Sequence, residues 1–299
     1  MIPLFPIFKK LELTDRVDVE NLTSKYPPYS DFNFSSMWAW DLKGEMGLSI
    51  LNGNLVVKFS DYIDGQTFLS FLGDNMVNET AKELIKFSEK NYKINLLELI
   101  PEITVNLLDK KEFDFTPDID SHDYIYSVKH LSNINNWQGH NSSKSIRKFL
   151  KLHPDYEVKN CLLQDIAKDE YTEIFEKWAI YKNMYNFPDF NEYQAFKRFL
   201  EIKNDKIKVV SIYKNKLLIG FTMYEICSDS YAISHFIKTD LSCKVSDILD
   251  WEEAKFLEAH GMQYVNWQQD LGILGLRKSK ESYKPDSFLN KYIVKKHTQ

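Results

Sequence analysis

The chain is poor in cysteine, with three in 299 residues, at Cys161, Cys227 and Cys243. Their number is odd, they lie far apart and no CxxC pair occurs, so neither a disulfide framework nor a thiolate metal site is suggested. The seven histidines show no ligand spacing either, and no bound metal is expected. No apolar run reaches the roughly 18 residues that a membrane-crossing helix needs. The N-terminal MIPLFPIFKK has two prolines and too short an apolar stretch for a signal peptide, so a soluble cytoplasmic protein is expected. Glycine-rich nucleotide loops are also missing: there is no Walker loop and no GxGxxG.

The residues present indicate a globular fold. Hydrophobic residues make up 43% and aromatics 14%, enough apolar surface to offset the ordering entropy of a packed core. At 299 residues, two domains are expected rather than one. Charge is unevenly spread: residues 1–130 hold 13 of the 38 Lys+Arg but 21 of the 43 Asp+Glu. An overall pI near 5.9 therefore excludes indiscriminate nucleic-acid binding, while the second half has room for a local basic surface.

One order of elements occurs twice. GLSILNGNLVVKFS reads as a hairpin about Asn52-Gly53, a pair that tolerates the positive φ of a tight primed turn. A strand (FLSFLG), a helix capped by Asn78 (NETAKELIKFSEKN), a strand (INLLEL), a helix from Pro101 (PEITVNLLDKK) and a strand (DYIYSV) follow. In the second half, KIKVVSIYKNKLLIGFTMYEI is a hairpin about Lys214-Asn215, and SYAISHFIK is a strand. VSDILDWEEAKFLEAHG is a helix ended by Gly261. MQYVNW, a loop and helix, and FLNKYIVKK complete the series, offset from the first by about 168 residues. Two helices, KDEYTEIFEKWAIYKN and NEYQAFKRFLEIKN, precede the second hairpin. This order resembles the GNAT-type N-acetyltransferases. The expected fold class is therefore α/β (α+β), with tandem GNAT-like domains on mixed central sheets, residues 1–130 and 131–299.

Two segments carry chemistry. In NSSKSIRKFLKLH, helical spacing puts Lys144, Arg147, Lys148 and Lys151 on one face, with Ile146, Phe149, Leu150 and His153 opposite. No acid lies between Asp123 and Asp155 to neutralise that stripe, which suits either a solvated face or a phosphate-bearing partner. The second segment is QQDLGILGLRKSKESYKP. There Gly272 and Gly275 permit positive φ or close backbone approach, and Arg277, Lys278 and Lys280 add charge at the start of a helix, where an anion is favoured. A glycine turn leading into a solvated basic helix fits the same pattern. Gln269 and Asp270 end the MQYVNW strand, where open sheets present ligand-binding groups. Asp270 has the chemistry of a general base and equally of a helix N-cap. YPPYSDFNFSSMWAWD reads as aromatic core with a pocket edge, and His235 as a satisfied strand histidine.

Together, YPPYSDFNFSSMWAWD, NSSKSIRKF, and QQDLGILGLRKSKESYKP followed by KY resemble the bacterial family described as phosphatidylglycerol lysyltransferase, C-terminal. The resemblance spans essentially the whole chain. It implies a tandem acetyltransferase-like fold similar to the Fem peptidyltransferases, which move an aminoacyl group from charged tRNA to an amine or a lipid hydroxyl. Asn141, Lys144, Arg147, Lys148, Gln269, Asp270, Gly272, Gly275, Leu276, Arg277, Lys278 and Lys280 match the family's motifs by position. The expected function is acyl or aminoacyl transfer, with Asp270 and Gln269 at the chemistry. Asn141, Lys144, Arg147, Lys148, Gly272, Gly275, Arg277, Lys278 and Lys280 would hold the donor's phosphates in the second domain. Expected partners are tRNA and a lipid headgroup or small amine; aminoacyl-tRNA or acyl-CoA would be the donor, with no prosthetic group. A coenzyme A-dependent N-acetyltransferase and a noncatalytic phosphate- or RNA-binding module are the alternatives. The usual coenzyme A loop is disfavoured, since the corresponding connection, KTDLSCKVSD, has no glycine.

Overall fold

The computed structural model describes residues 1–60, 65–183, 190–243 and 245–297, so residue 244 of the KTDLSCKVSD connection lies outside them. The chain divides into two compact units. Unit 1 comprises Met1–Tyr124, Gln269–Lys280 and Phe288–Gln299, and unit 2 comprises Ile125–Gln268 and Glu281–Ser287.

The first half runs β1 (Lys9–Lys10), α1 (Arg16–Thr23), α2 (Phe34–Trp40), β2 (Gly47–Leu51), β3 (Asn54–Ser60), β4 (Thr67–Leu72) and α3 (Val77–Tyr92). Then follow β5 (Leu96–Pro101), α4 (Glu102–Val105), β6 (Phe113–Pro117) and β7 (Asp123–Ser127). The second half runs α5 (Val128–Ser132), α6 (Asn141–Leu152), β8 (Glu157–Leu162), α7 (Lys168–Tyr181), α8 (Phe190–Phe199), β9 (Ile207–Lys214) and β10 (Leu217–Ile226). It continues with β11 (Tyr231–Thr239), α9 (Ser246–Ala259), β12 (Tyr264–Asn266), α10 (Leu274–Ser282), β13 (Ser287–Leu289) and β14 (Lys291–Lys296).

In unit 1 the antiparallel strands β1-β2-β3-β4 form one sheet and β5-β14-β6 another. The β2–β3 turn is made by Asn52 (φ 52°) and Gly53 (φ 81°), the left-handed pair that the sequence indicates. Helix α3 covers this unit's apolar core, burying Val77, Ala81, Leu84 and Ile85 against Val56, Phe71, Leu97, Phe113 and Val294. It starts two residues earlier than a cap at Asn78 implies, and Asn78 is not its cap: the Asn78 side chain accepts from the Asp109 N–H at 2.8 Å. The helix expected from Pro101 is a single turn, α4, and β6 follows it as a strand that the pattern did not reveal.

In unit 2 the strands follow the order β7-β12-β11-β10-β9-β8. The β9–β10 turn is Asn215 and Lys216 (φ 51° and 66°), one residue later than expected, because two consecutive positive-φ positions are needed there. α9 ends in a Schellman motif: Gly261 (φ 77°) donates to Glu258 O at 2.9 Å and Met262 to Leu257 O at 3.0 Å. α7 and α8 pack through Phe175, Phe196 and Phe199 onto Phe221 and Phe236 of β10 and β11.

Both units share the succession hairpin, strand, helix, strand, and β11 pairs with β12 in parallel after the helical crossover. Each then receives a strand from the other half of the sequence. β14 pairs with β5 and β6 in unit 1, and the Ile125–Ser127 part of β7 pairs with β12 in unit 2. Residues 269–280 and 288–299, which the sequence reading places in a domain 131–299, thus belong to unit 1. The reason is hydrogen bonding: Ile293, Val294 and Lys295 find their ladder partners in β6, opposite Thr116, Phe115 and Asp114.

Candidate functional site

The segment after β12 folds over a carboxylate. Asp270 is almost fully buried, 1% exposed, and every acceptor direction is used. It receives the Tyr124 hydroxyl at 2.6 Å, Arg277 Nε at 2.7 Å, Arg277 Nη2 at 2.8 Å and the Gly272 N–H at 2.8 Å. Burial alone would raise its pKa, but these donors outweigh burial and bring it to about 2. Gly272 (φ 70°) permits the turn, and a Cβ there would lie 2.8 Å from Asp120 Oδ2. Gly275 lies in α10 in open space and meets no such demand.

This geometry changes the expected roles. Arg277 is already engaged: its guanidinium is bidentate on Asp270 and also donates to Asp120 at 2.6 Å, so two carboxylates offset its charge. Lys280 does not line an exposed cationic face; it is 9% exposed, donates to Gln269 O at 2.5 Å and lies 5.4 Å from the centre of the Tyr124 ring. Burial brings its pKa down to about 7, helped by the charge of Lys291 and opposed by Asp123 and Asp270. Of the three late cations, Lys278 alone is exposed. The Gln269 carbonyl and the Tyr124 ring hold Lys280 inward, whereas periodicity alone places it beside Arg277. Asp270, with all its lone pairs engaged and a pKa near 2, is a structural anchor and too weak a base to take a proton near neutrality.

Beside this anchor, the early aromatic motif and the late KY pair converge within unit 1. Ser30 and Asp31 come from YPPYSDFNF, whose Tyr29, Phe32 and Phe34 are buried core as expected. Lys291, from the late KY pair, is fully buried and reaches three groups. It donates to Asp123 at 2.8 Å and to Ser30 Oγ at 3.2 Å, and it forms an ion pair with Asp31. Asp123 also accepts the Ser30 N–H at 2.7 Å and the Ser30 hydroxyl at 2.6 Å. Gln269 Nε2 donates to both Asp31 oxygens, at 2.8 and 3.0 Å, and so joins the late segment to the early one. Burial pushes the Asp31 pKa up, with the Asp123 charge adding and Lys291 opposing. His122 accepts the Lys291 N–H through Nδ1 at 3.1 Å; burial and the nearby Lys291 charge lower its pKa, so it remains neutral. Reading the sequence did not single out Ser30, Asp31, Asp123, Tyr124 or Lys291. A usable signal existed: Asp31 and Lys291 are ionisable residues set among large apolar and aromatic side chains, and a buried charge must be paired.

In unit 2, α6 shows the predicted faces. Lys144, Arg147, Lys148 and Lys151 are exposed, Ile146 and Phe149 are buried, and among the described residues no acid pairs with the four cations. His140 caps the helix, accepting the Ser142 N–H at 3.3 Å, and Asn141 is its exposed first residue. The register of β10 against β11 shifts between Met223 and Tyr224, leaving His235 as an extra residue opposite β10. His235 is buried with its Nε2 3.3 Å from Glu225, which also accepts from Asn204 at 3.0 Å. On α9, Glu253 accepts from the Thr222 and Ser234 hydroxyls, and burial raises its pKa to about 7.

Over residues 23–295 the sequence matches the family described as phosphatidylglycerol lysyltransferase, C-terminal. The chain belongs to this family. Its fold is that of several solved structures. A conserved protein of unknown function from Bacteroides thetaiotaomicron superposes with a TM-score of 0.83 at 24% identity, covering 99% of this chain and 100% of that one. L-PGS from Bacillus licheniformis gives 0.65 at 14% identity, covering 98% and 94%. FemX gives 0.57 at 9% identity, covering 97% and 95%. No curated protein sequence matches the chain. Lysyltransferase-type and Fem-type proteins thus share its fold, and among the described residues no helix is long and apolar enough to cross a membrane.

Proposed function

We propose that this family member is an aminoacyltransferase that takes an aminoacyl group from charged tRNA and passes it to an amine or hydroxyl acceptor. The observation that carries this reading is the face of α6, where Lys144, Arg147, Lys148 and Lys151 stand exposed with no acid paired to them among the described residues. Such a row suits the closely spaced phosphates of a nucleic-acid backbone, which position a ligand without reading its sequence. An aminoacyl ester is already activated, so the protein must supply little beyond orientation and proton transfer. Family membership and the shared fold of L-PGS and FemX support the same chemistry. The glycine-free KTDLSCKVSD connection weighs against a coenzyme A donor held in the usual loop.

Reversing three α6 charges tests this reading. Lys144→Glu/Lys148→Glu/Lys151→Glu is expected to weaken binding of lysyl-tRNA by about 10-fold or more at moderate salt, and to flatten the dependence of log K on log salt. Fluorescence anisotropy across a salt series measures both. Equal affinity and an equal salt slope for the variant and the parent protein would refute tRNA docking on α6. Acetyl transfer from acetyl-CoA without lysyl-tRNA binding would replace this reading with the acetyltransferase one.

A further inference from the structure

The buried cluster in unit 1 contains three carboxylates that could take a proton, and their surroundings separate them. Asp123 is 0% exposed and accepts at least the hydrogen bonds from Ser30 N, Ser30 Oγ and Lys291 Nζ. Asp270 is 1% exposed and accepts four. Asp31 is 14% exposed. Its Oδ2 takes Lys291 and Gln269, whereas its Oδ1 accepts from Gln269 alone among the described residues, leaving one lone pair open. Three groups bear on it: Lys291 from β14, Asp123 at the head of β7, and the side-chain amide of Gln269, a residue whose backbone carbonyl accepts from Lys280.

We propose that Asp31 is the group that accepts the proton of the attacking nucleophile, held in place by Lys291 and aimed by Gln269. The inference rests on the aminoacyl-transfer reading above. The nucleophile's oxygen or nitrogen bonds to the ester carbonyl carbon, and its proton passes to Asp31 Oδ1. The bond from that carbon to the ribose oxygen breaks, and the proton moves from Asp31 to the departing ribose oxygen, so the carboxylate is regenerated. Lys291 keeps the carboxylate ionised and fixes its plane. Gln269 donates to Asp31 and is a positioning residue. Burial makes Asp31 a stronger base than Asp270, which four donors hold in its ionised form.

The test uses the full chain with lysyl-tRNA as donor probe and two acceptor probes: glycerol, a hydroxyl that needs a base, and hydroxylamine, an amine nucleophilic without one. Asp31→Asn is expected to slow transfer to glycerol by about 100-fold or more. Transfer to hydroxylamine should fall far less, and Asp31→Glu should restore part of the glycerol rate. Gln269→Leu removes a donor that stabilises the ionised form, so the rising limb of the rate against pH should move to higher pH. Equal slowing of both acceptors by Asp31→Asn would mean a purely structural role and overturn the proposal, as would an unchanged glycerol rate. Wild-type transfer no faster than the uncatalysed reaction would overturn the aminoacyl-transfer reading itself, and the proposal with it.

Discussion

Lys291→Met is expected to destabilise the protein by about 3–5 kcal/mol, because it leaves the largely desolvated Asp31 and Asp123 carboxylates without their shared cation. Lys291 is 0% exposed, so water cannot replace the lost charge without opening the strand ends around it. Its backbone also closes the site: Lys291 O accepts the Asp118 N–H at 2.9 Å, and its own N–H goes to His122. Adding Asp123→Asn to Lys291→Met should recover part of the loss, since it removes one of the two stranded negative charges. Urea unfolding followed by tryptophan fluorescence gives both values. A midpoint unchanged by Lys291→Met would show that the three groups are not an energetic unit.

The second large effect concerns Asp270. Asp270→Asn replaces a charged acceptor of four donors by an amide that can accept at only one atom, for an expected loss of about 1–3 kcal/mol at neutral pH. Its pH dependence is distinctive. The carboxyl's folded pKa is about 2, below the ordinary value of 3.8, so its stabilising contribution is complete above pH about 4 and disappears as pH falls through about 2. Wild type should therefore lose stability in that window, and Asp270→Asn should lose less there, so the gap between them narrows on acidification. Thermal melts at pH 7, 4 and about 2 decide it. A gap that stays constant across the series would mean that Asp270 is not held by its charge.

Local rules account for most elements. Alternation and Asn52-Gly53 give the β2–β3 hairpin, Gly261 gives the end of α9, and spacing by threes and fours gives the exposed and buried faces of α6. They fail where a tertiary partner takes over. Asn78 is drawn to Asp109, and Lys280 is drawn into the protein. β6 acquires its strand character from a ladder with β14, whose residues lie far along the chain.

The sequence by itself determined that this is a mixed α/β chain built twice on one order of elements, with a basic helix between the repeats and a family signature at both ends. These properties depend on neighbours a few residues apart, and periodicity, turn chemistry and composition report them directly. Only the tertiary structure decided which charges meet. It set Arg277 on Asp270 and brought Ser30, Asp31, Asp123, Gln269 and Lys291 into one buried cluster. The physical reason is that a charge's role depends on its desolvation and on partners up to 261 positions away, as between Ser30 and Lys291, and no local pattern encodes those pairings.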